Sequence, residues 1–146
     1  MCADKNRPFD PECIFCRIIK GEIPSYRVYE DADIYGFLDI SPVAAGHLLL
    51  VPKGHYASVL DVPEEMGLAV LRAISRMGNA VIETMNADGF NLLQNTHEAA
   101  GQTVFHAHWH IIPRFHGDGL KHWPQMDAPD KNRMQSITEA LYQASK

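Results

Sequence analysis

Phe105-His106-Ala107-His108-Trp109-His110-Ile111-Ile112-Pro113 is the stretch that decides how this chain is read. On an extended strand alternate side chains share a face, so His106, His108 and His110 project together, ~6–7 Å apart per step. Ala107, Trp109 and Ile111 then turn the other way, into a core. Three imidazoles in a row make poor core filler, because each buried ring needs partners for two nitrogens. Two functional readings stand beside the structural one. All three rings could share one zinc, although no acidic residue is interleaved to orient them. Alternatively one neutral imidazole attacks a phosphorus while a neighbouring His donates to the phosphate or the leaving group.

Working outward, the preceding loop is Asn95-Thr96-His97-Glu98-Ala99-Ala100-Gly101-Gln102-Thr103. Gly101 lets the backbone approach a ligand, and Gln102, Thr103 and nearby N–H groups are suited to holding phosphate oxygens. Upstream, Phe15 to Lys20 reads as a short helix stopped by Gly21. Arg27–Glu30 and Ile34–Leu38 read as a hairpin around Asp31-Ala32-Asp33, and His47–Val51 as a strand buried on both faces. The spacing of Met66, Val70, Ala73, Ile74, Met77, Val81 and Met85 predicts one long helix, from about Val62 to Asn86. Asp61 and Glu64 would cap it, and Gly89 would end it. Phe90–Gln94 and Thr103–Pro113 are the remaining strands, and Met134, Ile137 and Leu141 mark a C-terminal helix. The order β-β-β-α-β-β-α implies an α+β domain with a mainly antiparallel, five-stranded sheet.

A length of 146 residues fits one domain, with residues 1–12 as a loose polar arm and 13–146 as the folded unit. The net charge of −5 excludes a general binder of nucleic acid polymers, which would need surplus Lys and Arg. The longest apolar run, Leu48-Leu49-Leu50-Val51-Pro52, is far too short to span a membrane. Eight histidines, six of them between positions 97 and 122, are the one compositional oddity. Three cysteines (Cys2, Cys13 and Cys16) do not suggest a disulfide framework, and the polar N-terminus lacks the apolar run of a signal peptide, so a reducing, cytoplasmic setting is expected. Cys13-Ile14-Phe15-Cys16 has three readings: half of a zinc site, a redox pair, or two ordinary thiols. Redox is the weakest, since no strand precedes the pair.

These features together resemble the histidine-triad (HIT) superfamily. The resemblance runs from Ile14 to about Trp123. It is carried by His106-Ala107-His108-Trp109-His110-Ile111-Ile112, by Gly46-His47-Leu48-Leu49-Leu50-Val51-Pro52-Lys53-Gly54-His55, by Phe37-Leu38-Asp39-Ile40-Ser41-Pro42 and by Gly101-Gln102-Thr103-Val104-Phe105-His106. It implies a HIT fold and hydrolysis of nucleoside 5′-monophosphate derivatives. The leading substrates are purine nucleoside phosphoramidates; the alternatives are dinucleoside polyphosphates or nucleotide binding with negligible turnover. By the same resemblance His108 is the nucleophile, His110 contacts the phosphate or leaving group, and His47 supports them. Asp39 would hold the ribose, Phe15, Ile18, Phe37 and Ile40 the base, and Asn95, Gly101, Gln102 and Thr103 the phosphate. The chemical step would need no metal. Cys13 and Cys16 would join His55 and His106 around a structural zinc, and two copies would pair as a homodimer.

Overall fold

The computed structural model describes residues 7–146; Cys2 and the first part of the arm lie outside the described residues. The hairpin forms where the pattern put it, with β1 at Arg27–Glu30 and β2 at Ile34–Leu38. Asp31 makes the turn: its Oδ1 accepts from the amides of Asp33 and Ile34 at 2.8 and 2.7 Å, an Asx-type closure that fixes the register.

Strand β3 (Leu48–Pro52) lies antiparallel on β2, followed by β5 (Trp109–Arg114) and β4 (Gly89–Leu93), in the order β1-β2-β3-β5-β4. Why β3 can be apolar throughout is now plain. Leu48 and Leu50 enter a core with Trp109, Ile111 and the long helix, while Leu49 and Val51 enter a second core with Cys13, Phe15, Cys16 and Phe37. The two faces thus differ: one carries helix α2 (Gly67–Met85), the other helix α1 (Ile14–Ile19). His110 pairs across the ladder with Leu49, which puts it on the α1 face, opposite Trp109 and Ile111.

Several expectations need correction. The long helix does not begin at Val62. Asp61 is consumed in a different capping box, accepting from the Ser58 amide at 2.9 Å and its hydroxyl at 2.8 Å, and two short 3-10 turns precede Gly67. Nor does Gly89 end α2. Asn86 does so by adopting the left-handed conformation at φ 52, which frees Gly89 to start β4. The histidine strand is shorter than its alternation implied: β5 starts at Trp109, because the Ala107 amide bonds to the Tyr56 carbonyl at 2.7 Å instead of joining the ladder.

Residues 7–12 are not loose either. Arg7 reaches Ala32 and Asp33, and the His55 amide donates to the Pro8 carbonyl at 2.7 Å. Helix α3 (Lys131–Ala144) forms as expected, capped by Asp130, but it buries no residue, and its Met134 and Leu141 face solvent.

Candidate functional site

The ring nitrogens of the triad can be assigned one by one from their backbone partners. The Val43 amide donates to His47 Nδ1 at 3.1 Å, so His47 carries its proton on Nε2. That N–H donates to His110 Nδ1 at 2.9 Å, which leaves the His110 proton on Nε2. His108 Nδ1–H donates to the His106 carbonyl at 2.7 Å, so its Nε2 bears a free lone pair. His106 Nε2–H donates to the Pro52 carbonyl at 2.9 Å, leaving Nδ1 as a bare donor toward the cysteines. The triad therefore divides into a ring whose lone pair faces the two thiols, a ring with an unpartnered Nε2 lone pair and a ring with its proton on Nε2, though all three come from one short stretch of chain.

Their surroundings keep them neutral. His108 and His110 stand with ring centroids 4.9 Å apart, and Phe15 packs edge-on against His108 at 5.2 Å. Burial pushes His108 below its ordinary value, against the pull of the His106 carbonyl and Asp39. Burial, with His108 and His47 adding to it and Asp39 opposing, brings His110 down to about 4. A group needed in its neutral form and holding a lowered pKa stays competent as pH falls past its ordinary value. Accordingly the acid limb of kcat/KM against pH should lie below 6.5. An inflection at 6.5 or above in steady-state rates would contradict this.

Cys13, Cys16, His55 and His106 converge. Cys13 Sγ is 3.4 Å and Cys16 Sγ 3.6 Å from His106 Nδ1, and Cys16 Sγ is 3.4 Å from His55 Nδ1. A tetrahedral zinc, with bonds of ~2.3 Å to sulfur and ~2.0–2.1 Å to nitrogen, sets unlike ligands ~3.5 Å apart. The four donor atoms lie within 4.8 Å of one another. Without a cation, burial foremost, with Cys13 beside it, pushes the Cys16 thiol up to about 11. The donor set fits a structural metal. Asp10, absent from the sequence-based candidates, stands 3.9 Å from His55 Nε2, and its carbonyl accepts from the Cys13 amide at 3.1 Å.

Asp39, His47 and His110 also cluster within 4.8 Å, but their chemistry differs. The Val43 amide holds His47 Nδ1 as an acceptor, so a metal on Nε2 would require an imidazolate or a broken backbone bond. Asp39 Oδ2 sits 3.5 Å from that same Nε2. Its Oδ1 accepts from the Ser41 amide at 2.7 Å.

The phosphate-side loop differs from expectation at one residue. The Gln102 side chain is 2% exposed, accepts from the His97 amide at 2.8 Å and donates to the Ala57 and Val104 carbonyls at 2.7 and 3.1 Å. With its amide spent, it braces the loop and has no free hydrogen for a phosphate. Gly101 takes φ +92 as the turn requires, its carbonyl 3.5 Å from Asn95 Nδ2, and Thr103 is exposed beyond it. Of the residues expected around a base, Phe15, Ile18 and Phe37 belong to the α1-side core, whereas Ile40 is 86% exposed. His116 is exposed, and His122 lies beside Arg114, which is forked onto Asp118.

The HIT domain family model matches residues 20–117. Adenosine 5′-monophosphoramidase HNT1 of Candida albicans is 38% identical over 136 residues, covering 88% of each chain. Among solved structures, SMU.412c from Streptococcus mutans aligns with a TM-score of 0.88 at 37% identity, over 94% of this chain and 87% of its own. A Zn-bound histidine triad family protein from Mycobacterium smegmatis aligns with a TM-score of 0.72 at 36% identity, over 92% and 98%.

Proposed function

This chain belongs to the HIT domain family, and from that footing we propose that it hydrolyses nucleoside 5′-monophosphate derivatives, purine nucleoside phosphoramidates first among them. The observation that carries the reading is the His108 Nδ1–H bond to the His106 carbonyl at 2.7 Å, which leaves Nε2 unprotonated and its lone pair without a partner among the described residues. In the proposed reaction His108 Nε2 attacks the α-phosphorus and forms a P–N bond. The bond to the leaving amine breaks while His110 Nε2–H hydrogen-bonds the departing nitrogen, which takes its proton from water and leaves as the free amine. The resulting hydroxide attacks phosphorus, cleaves the bond to His108 and releases the nucleoside monophosphate, restoring neutral His108. His47 holds His110 in the required tautomer, with Asp39 placed to accept the ribose hydroxyls and Asn95, Gly101 and Thr103 on the phosphate side. The phosphoramidase named among the relatives supports the substrate class.

Zinc at Cys13, Cys16, His55 and His106 is proposed as structural, supported by the donor spacing and by the Zn-bound relative; two buried thiols as metal ligands suit a reducing compartment such as the cytoplasm. A homodimer is supported by what the monomer leaves uncovered. Strand β4 is a sheet edge with Leu92 and Leu93 exposed, α2 shows Leu68 and Leu71 to solvent, and α3 buries none of its residues. No helix among the described residues is long and apolar enough to cross a membrane.

The test compares release of AMP from adenosine 5′-phosphoramidate and from diadenosine tetraphosphate. Faster release from the phosphoramidate is expected. A preference for the tetraphosphate would move the assignment to polyphosphate cleavage. Tight AMP binding without turnover on either would make the protein a nucleotide binder.

A further inference from the structure

His97 occupies backbone space that belongs to glycine. Its φ and ψ are 69 and 161, a region where a Cβ is strained and which side chains occupy only when the surroundings enforce it. The surroundings here are built for that purpose. The His97 amide donates to Gln102 Oε1 at 2.8 Å, and its carbonyl accepts from the Gln102 and Ala100 amides, both at 3.1 Å. Gln102 in turn hangs from the Ala57 carbonyl, while Ala107, next to His108, hangs from the Tyr56 carbonyl, each at 2.7 Å. Two consecutive carbonyls therefore tie the strained residue and the triad to one support. The imidazole of His97 is exposed and has no partner among the described residues. A glycine would satisfy every one of these backbone bonds without strain, so the backbone gives no reason for a side chain at this position.

The sheet order indicates which end of the site the residue stands at. Asp39 follows β2 and His47 precedes β3, His108 and His110 lie at the start of β5, and the 95–103 loop leaves β4, on the far side of β5 from β3. Nucleoside, α-phosphate and leaving group then succeed one another across the sheet, with His97 on the leaving-group side. We propose that His97 is a specificity-determining contact for anionic leaving groups, a polyphosphate chain above all, donating a ring N–H to its oxygens; this rests on the hydrolase reading above. When His108 attacks a dinucleoside polyphosphate, the α-phosphorus gains the P–N bond and loses its bridging oxygen. That oxygen departs with the bonding electrons at the end of the polyphosphate. His97 takes no part in the bond changes and only holds the anion. A neutral amine leaving group offers it no oxygen.

The experiment measures kcat/KM for diadenosine tetraphosphate and for adenosine 5′-phosphoramidate on wild type, His97→Gly and His97→Asn, with thermal unfolding alongside. The polyphosphate-to-phosphoramidate ratio should fall about tenfold in His97→Gly, while Tm rises by a few degrees as strain is relieved. Asn keeps an N–H donor at the same strained backbone, so His97→Asn should restore the ratio to within about threefold of wild type without the rise in Tm. An unchanged ratio in His97→Gly overturns the inference, whether both rates hold or fall together. So does a wild type that cleaves the phosphoramidate and not the polyphosphate. If wild type cleaves neither substrate, it is the hydrolase reading that fails, and the inference falls with it.

Discussion

His108→Ala will lower turnover of adenosine 5′-phosphoramidate by roughly ten-thousand-fold or more, the scale on which loss of a covalent nucleophile is felt. It is the one ring of the triad with an unprotonated nitrogen left unpartnered among the described residues: His106 directs its lone pair at the cysteines, and His110 Nδ1 accepts from His47. No neighbour can take over the attack without first changing tautomer against a backbone bond. His47 cannot release His110 from its role, because the Val43 amide fixes His47 in turn at 3.1 Å. Nucleotide affinity should stay within about tenfold of wild type, since Asp39 and the 95–103 loop are untouched. A second consequence is covalent. Wild type mixed with substrate labelled at the α-phosphorus and quenched in base should carry label on the protein, since a phosphorus–imidazole bond survives alkali better than acid. The alanine variant should carry none. Truncation also opens space beside Phe15, whose ring lies 5.2 Å from that of His108; His108→Asn fills more of it and serves as the folded control, with the same loss of turnover. Turnover within tenfold of wild type in either variant would remove His108 from the chemistry.

How far the sequence could be read depends on whether a feature is written in side-chain periodicity or in backbone partnership. The two faces of β3, the apolar stripe of α2 and the hairpin at Asp31 are periodic or local, and their elements formed close to the expected positions. The helix start misled because Asp61, read as a cap for the long helix with Glu64, is instead the acidic member of the capping box that Ser58 opens before it. His106 and His108 were expected on a continuous strand, yet Tyr56 and Pro52 draw the backbone and ring away before β5 begins. Gln102 looked like a phosphate donor because its residue type fits one. Its N–H groups instead go to carbonyls up to 45 positions away, which no local pattern encodes. The tautomers of the triad rest likewise on the Val43 amide and the Pro52 and His106 carbonyls, and any residue type supplies those groups. Helix α3 was legible as a helix, but its spacing of Met134, Ile137 and Leu141 says only that an apolar face exists, not that this chain covers it.

Removal of the metal should produce the largest change in stability. Purified protein is expected to hold about one zinc per chain, and Cys13→Ser/Cys16→Ser to hold less than a tenth of that by elemental analysis. Zinc in such a site joins segments that are otherwise distant: the turn before α1, the loop after β3 and the first residue of the triad. It also permits two buried thiols to ionise side by side, which their surroundings otherwise forbid. Losing it should cost several kcal/mol. Since about 1 kcal/mol moves Tm by roughly 2–4 °C in a chain of this size, a fall of roughly 10 °C or more is expected. Wild type treated with a strong chelator should fall equally, and the double serine variant should no longer respond to chelator. Activity should drop by about tenfold, well short of the His108→Ala effect. His106 does not touch the reacting atoms, but its carbonyl holds His108 and its ring anchors that carbonyl, as outer-sphere partners do for a reactive group. Chelator-treated and untreated wild type melting at the same temperature, with negligible zinc in both, would leave Cys13 and Cys16 as buried thiols and transfer the anchoring of the strand to the His106–Pro52 bond alone.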